Sequence, residues 1–349
     1  MRYVLVRVAG GAFILFGVSL IAFFLPALNT SPKEIAIFEL GNSHGVTAAE
    51  IQRWIQLHGL DQPLWVQYWH WLLGAVHGDF GVAYRESNEY RDVSVNAVVH
   101  DELWWSVWLI VPATLVSILI AIPVGLIQAV RRSRPYDHVM TTLSFVVYST
   151  PTFFVCLLLS WYVAVKHHIG TPTVDPAARG VSGSQVPSYI GHHFEQFLLP
   201  YVAIVLLSVG GLTRFTRGSA VQARAQTYVL IARAKGAGRL RVLFRHLLRP
   251  SVIPLIPIVG LSLPVVLSGA IVVEGFFNVP GMGAQLLRST TLGDYTVVTA
   301  LFFLAAVLVV AGNLVAHVCT ALVDPRVRRT AARWASAGSQ HDQSLTVAR

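Results

Sequence analysis

Residues 103–130 read LWWSVWLIVPATLVSILIAIPVGLIQAV, without a Lys, Arg, Asp or Glu. A helix needs about 20 mostly apolar residues to cross a bilayer, and this run exceeds that. Pro112 and Pro123 lie inside it. Interior prolines end or kink a soluble helix, but in a membrane the neighbouring helices re-satisfy the freed carbonyls. Five more uncharged blocks flank it: Ala9–Leu28, Val139–Val165, Phe197–Thr213, Ser251–Val273 and Val297–Val323. The whole chain agrees with its blocks. Of 349 residues, 54% are hydrophobic and 12% charged, about half the charged fraction of a soluble domain. That is too little polar surface for a soluble globule and too much Val, Leu and Ile for a disordered chain. The net charge of +9 would suit nucleic acid only on a soluble, groove-facing surface. The expected fold is all-α: a polytopic membrane protein with six transmembrane helices. No nucleic-acid partner is expected, whereas membrane lipids are.

The first block follows Arg2 and Arg7. It is longer than the apolar stretch of a secretory signal and lacks a clear A-x-A cleavage site, so it reads as an uncleaved span. The charges between blocks then set the orientation. Alternate segments sum to +16 on one side and −7 on the other. Basic segments near membrane ends stay in the cytoplasm. The N-terminus, the loops at 131–138 and 214–250, and the C-terminus are therefore expected inside a multi-pass plasma-membrane protein. The acidic loop at 29–102 is expected outside. Three regions follow: 1–102, the first span plus an outer helical loop; 103–329, the core with its inner loop at 214–250; and 330–349, a polar, frayed tail.

In the outer loop, Thr47-Ala48-Ala49-Glu50 has the capping-box pattern and predicts a helix to His58, stopped by Gly59. Asp61-Gln62-Pro63 suits a second helix start. The aromatic run Leu64–Leu73 that follows fits either the membrane interface or packing on a span.

Residues 214–250 carry nine basic residues and no acid. Burying them at mid-membrane would cost about 25 kcal/mol, at roughly 3 each. The segment therefore lies outside the bilayer. Ala220–Ala225 and Tyr228–Lys235 have helix-forming composition. Gly236 and Gly238 break the helix, and Arg239–Arg245 restarts it before Pro250. A helix–glycine–helix on the inner face reads as a docking element for a cytoplasmic partner, against the plainer alternative of a lipid-binding surface loop.

Tyr228-Val229-Leu230-Ile231-Ala232-Arg233-Ala234-Lys235-Gly236 resembles the cytoplasmic "EAA" loop of ABC importer permeases. With Arg245-His246-Leu247-Leu248-Arg249-Pro250 after it, the likeness narrows to the dipeptide/oligopeptide permease family. Gly59–Pro63 with Gly78–Gly81, Glu274–Gly283, and Asp324–Arg328 match the same family in the same order. Where the motif has an acidic residue, six before Gly236, this chain has Leu230.

The resemblance implies a type I ABC importer transmembrane domain, forming half of a translocation pathway for short peptides. It implies a second, similar permease, two ATP-binding subunits and an extracytoplasmic substrate-binding protein. ATP and Mg²⁺ would sit in those ATPase subunits and no cofactor in this chain, which has no G-x-x-x-x-G-K-[ST] run and is not an enzyme by itself. Tyr228, Ala232, Arg233, Ala234, Lys235, Gly236, Arg239 and Arg245 would form the ATPase-coupling loop, its first helix running from about Ala225 to Lys235. Glu274, Phe277, Asn278 and Pro280 lie in a re-entrant or short outer helix, as an outer gate or a contact for the binding protein. Nickel complexes, glutathione and haem are the other family ligands. A secondary carrier is the mechanistic alternative, but such carriers place an ionisable residue at mid-membrane. Here His317 is the only histidine in a block.

Weaker signals lead elsewhere. Gly180-Val181-Ser182-Gly183 matches the G-x-S-G of rhomboid-like proteases, yet it lies in a polar outer loop without the shelter a nucleophile needs. His167-His168 and His192-His193 read as interfacial polar residues, since adjacent histidines chelate poorly. Cys156 and Cys319 lie within blocks and suggest neither a disulfide nor a metal site. No catalytic residues and no metal ligands are expected.

Overall fold

Prolines and glycines decide where the helices bend and stop. The computed structural model describes residues 2–29, 31–40, 47–83, 93–256 and 270–323. Its helices in chain order are α1 (Arg2–Asn29), α2 (Pro32–Glu39), α3 (Ala48–Leu57), α4 (Leu64–Val76), α5 (Val95–Val130), α6 (Pro135–Ser149) and α7 (Thr152–Lys166). They continue with α8 (Val186–His192), α9 (Phe194–Arg224) and α10 (Thr227–Ala234). Then come α11, built of Arg239–Arg241, Val242–Leu247 and Leu248–Val252, α12 (Ala270–Phe277), α13 (Met282–Leu292) and α14 (Tyr295–Val323). A two-residue antiparallel ladder, Val82–Ala83 with Val93–Ser94, leads into α5.

Among the described residues four helices are long and apolar enough to cross a membrane, or up to six where each of two bent pairs is one span. The third block is one of these bent pairs. Thr150 and Pro151 are extended, with ψ near 128° and 139°, and α6 meets α7 at 105°. Proline disfavours the helical conformation at the residue before it, and here that residue, Thr150, is extended. The fifth block lies largely outside the described residues, as do Asp324–Arg328 and the tail. Its C-terminal end, α12, meets α13 at 75°.

The fourth block also differs from expectation. Instead of ending near Thr213, α9 continues to Arg224. Arg214, Arg217 and Arg224 therefore belong to a spanning helix rather than a loop, and so does Ala220–Arg224. Nor does Pro250 stop α11. It lies inside α11, just after the π-helical stretch Val242–Leu247.

The core is the long crossing of α5 on α9. Gly125 makes it close: a Cβ there would lie 2.7 Å from the Cβ of Thr216 and 2.9 Å from the carbonyl oxygen of Thr213. Two bonds fix the basic end. Arg217 Nε and Nη2 donate to the two oxygens of Asp137 at 2.6 and 2.8 Å, joining α9 to α6. Arg224 Nη1 donates to the carbonyls of Ala129 and Val130 at 2.8 and 2.9 Å. It satisfies acceptors that the last turn of α5 leaves open.

At the other end, α1 packs on α14, and Thr299 Oγ1 donates to the carbonyl of Ala22. The outer helices form as expected. Thr47 and Glu50 make the reciprocal capping box, and both Thr47 groups hold the Glu50 carboxyl below its ordinary range, the backbone N–H most. On α4, Trp65, Trp69, Leu73 and Val76 form an exposed stripe at helical spacing. Around the spans, residues such as Phe13 (77%) and Leu119 (71%) stay open, a surface suited to lipid and not to water.

Candidate functional site

The basic end is built around one short helix. α10 is amphipathic: Val229 is fully buried among Leu126 and Ala129 of α5, Ala220 and Ala223 of α9, and Val242 and Leu247 of α11. Ala232 is half-buried. The other face is open, with Tyr228 44%, Leu230 56% and Ile231 50% exposed. Arg233, Ala234 and Lys235 are exposed beside them. Three large apolar side chains thus lie together on the open face of a short helix, the kind of patch that protein–protein or membrane contacts cover.

The helix ends in a Schellman motif. Gly236 has φ +78°. Its N–H donates to the Arg233 carbonyl at 2.9 Å, and the Ala237 N–H to the Ala232 carbonyl at 3.1 Å. These are the two bonds that motif requires, and its left-handed position favours glycine. Arg239 opens α11, and Arg245 lies exposed within the Val242–Leu247 stretch, which is a π-helix.

At the acidic end, the four residues singled out form a bonded knot. Glu274 is buried. One carboxyl oxygen accepts from Ser106 Oγ at 2.7 Å, the other from the N–H groups of Gly283 at 2.7 Å and Ala284 at 3.2 Å. Ser106 Oγ in turn accepts from the Met282 N–H at 2.8 Å. The first three N–H groups of α13, which no helical carbonyl can reach, are all satisfied this way. A carboxyl at a helix N-terminus also meets the positive end of the helix dipole.

Glycine is required around it. A Cβ on Gly281 would strike the Glu274 carboxyl, and one on Gly283 would lie 2.5 Å from Ile271 Cα. Phe277 and Pro280 are buried, and the Phe277 carbonyl accepts from the Val174 N–H at 2.7 Å. Asn278 is only half-buried, in the left-handed region at φ +59°. It donates to the Val174 carbonyl at 3.2 Å and accepts from Arg179 Nη2 at 2.6 Å. The segment thus ties α5, α12, α13 and the outer loop 167–185 together.

Ser106 and the Asp137–Arg217 pair were missed in the sequence. Ser106 stands inside an apolar block, 168 residues before its partner. The signal was Glu274 itself, since a buried acid needs donors. The remaining candidates take structural places. Gly183 packs on Trp104, and its N–H donates to Asp101 at 2.8 Å, so Gly180–Gly183 seats the outer loop on α5. His192 and His193 bond through Nδ1 to the carbonyls of Ser188 and Tyr189. Among the described residues no three His, Cys, Asp or Glu side chains gather to hold a metal.

Residues 121–329 match the family described as "Binding-protein-dependent transport system inner membrane component". Residues 1–91 match the N-terminal model of the same systems. The chain belongs to this family. The permease is 32% identical to the "Oligopeptide transport system permease protein AppB" of Bacillus subtilis (strain 168), over 93% of its own length and 98% of that relative. It is 28% identical to the "Dipeptide transport system permease protein DppB" of Escherichia coli (strain K12), over 89% and 94%. It is 30% identical to the "Glutathione transport system permease protein GsiC" of the same strain, over 94% and 99%. The permease is therefore an all-helical, multi-pass membrane component of a type I ABC importer. It is a transport subunit, and the knot at Glu274–Gly283 and the open face of α10 are features of its transport core.

Proposed function

We propose that this chain forms half of the translocation pathway of an importer for short peptides, with a second permease subunit forming the other half. Two ATP-binding subunits would bind ATP and Mg²⁺ beneath it, and an extracytoplasmic binding protein would deliver substrate. The observation that carries the reading is α10: fixed on the core by Val229, stopped by Gly236, and open along Tyr228, Leu230 and Ile231. A groove on one ATP-binding subunit covers that face. Arg233, Lys235, Arg239 and Arg245 meet carboxylates or carbonyls at its rim. The excess of basic residues at this end orients both termini and α10 to the cytoplasm.

Closure of the ATP-bound pair moves α10, and α10 moves the core through Val229 and its α5, α9 and α11 neighbours. The spans then tip between inward-open and outward-open states as rigid bodies. At the outer end the Glu274 knot holds α5 and α13 in fixed relation, so it acts as an outer gate element. The half-buried Asn278 and its partner Arg179 are the members able to touch a binding protein.

Peptides are favoured as cargo because the relatives named above carry oligopeptide, dipeptide and glutathione in their names, and glutathione is itself a modified tripeptide. Cells lacking the chain are expected to lose uptake of labelled di- and tripeptides and to resist toxic peptide analogues. Undiminished peptide uptake with lost glutathione uptake would move the assignment to glutathione.

A further inference from the structure

A cavity of about 600 Å³ opens at the basic end of the bundle. Four guanidinium groups line it: Arg131 and Arg134 from the α5–α6 turn, Arg224 from the end of α9, and Arg233 from α10. Tyr136 stands beside Arg131, whose guanidinium lies 5.4 Å from the ring centre. No carboxylate lines the cavity among the described residues. The acid nearest in sequence, Asp137, is already held by both nitrogens of Arg217. Arg224 is oriented by its bonds to two backbone carbonyls and keeps its charge. Arg131, Arg134 and Arg233 form no ion pair among the described residues.

Four like charges around one hollow repel one another, and an anion relieves that repulsion. Guanidinium forks fit phosphate oxygens in pairs. The position narrows the source. The walls are the ends of two spanning helices, α5 and α9, and the first turn of α6, which the proposed orientation puts on the cytoplasmic side. Part of the wall is apolar, from Val130, Pro135 and the ring of Tyr136. An inorganic ion gains nothing from those side chains, whereas the glycerol and acyl root of a lipid does. Basic pockets between spanning helices on the cytoplasmic side bind acidic headgroups in this way.

We infer that this cavity binds the phosphate headgroup of an anionic phospholipid of the inner leaflet. The inference rests on the proposed orientation, with α10 in the cytoplasm. Arg233 belongs to both the cavity and α10, so the bound headgroup braces the coupling helix against the bundle.

The test uses the complete transporter in nanodiscs of phosphatidylcholine, with and without phosphatidylglycerol. Native mass spectrometry reads lipid retained on the permease, and ATP hydrolysis is followed in parallel. The variant carries Arg131→Gln and Arg134→Gln, both outside α10. Removing two charges at their usual contribution predicts about a tenfold or larger loss of retained phosphatidylglycerol. Hydrolysis in pure phosphatidylcholine should match the unaltered complex. A second variant, Arg131→Lys with Arg134→Lys, keeps the charge and should keep most of the retention. Equal retention in all three proteins overturns the site. Inorganic phosphate that displaces the lipid at millimolar concentration reassigns the cavity to a soluble anion and overturns the lipid. A Gln variant that no longer assembles with the ATP-binding subunits makes the cavity a protein dock, which also overturns it. Loss of retention in the Gln variant, with retention kept in the Lys variant and assembly unchanged in both, supports the lipid site.

Discussion

Replacing Gly236 by valine is expected to cut peptide uptake about tenfold or more, at a backbone strain of roughly 1–2 kcal/mol. ATP hydrolysis by the partner subunits should continue. Gly236 sits at φ +78°, and a side chain there would have nothing within 4 Å to strike. The effect is therefore conformational rather than steric crowding. A β-branched residue resists the left-handed region, so the Schellman motif opens and α10 loses its fixed end. Val229 still anchors the helix, which explains why the loop should persist while its transmission fails. Gly236→Asn is the control, since asparagine tolerates that conformation and should keep most uptake. Uptake and hydrolysis are measured on the same proteoliposomes. Normal coupling in the valine variant would remove α10 from the mechanism.

Glu274→Ala is expected to have the second large effect, on stability as well as transport. It strips one partner from three buried bonds and leaves Ser106 and two N–H groups of α13 without their acceptor. Leaving a buried donor without its acceptor costs about 1–3 kcal/mol each. The purified complex should unfold at markedly lower temperature, and uptake should be lost. Ser106→Ala should be milder, because the Gly283 and Ala284 bonds to the carboxyl remain. If Glu274→Ala and Phe277→Ala left uptake and binding-protein docking unchanged, the gate reading would be dropped.

The contrast between these two sites shows what was legible in advance. Uncharged blocks and alternating charge gave the spans, and Gly236 gave the helix stop, because each depends on residues close together in the chain. The capping box at Thr47 and Glu50 was readable for the same reason. The 105° bend at Thr150–Pro151 was written in the proline, but a membrane block tolerates prolines both straight and bent, so composition could not choose. The end of α9 is not legible from composition, because charged residues in a sequence read as the end of an apolar span. In fact Arg217 is paired with Asp137 and Arg224 caps α5, so their charges are accommodated within the helix. Ser106 was invisible because its role depends on a contact across the fold.

Copurification tests the central claim most directly. The tagged chain, extracted in mild detergent from its native membrane, should bring down a second permease and two copies of ATP-binding subunit, and the assembly should import peptide only with ATP and the binding protein present. If the chain purified alone and moved peptide across proteoliposomes without ATP, the account of it as a coupled half-pathway would be contradicted.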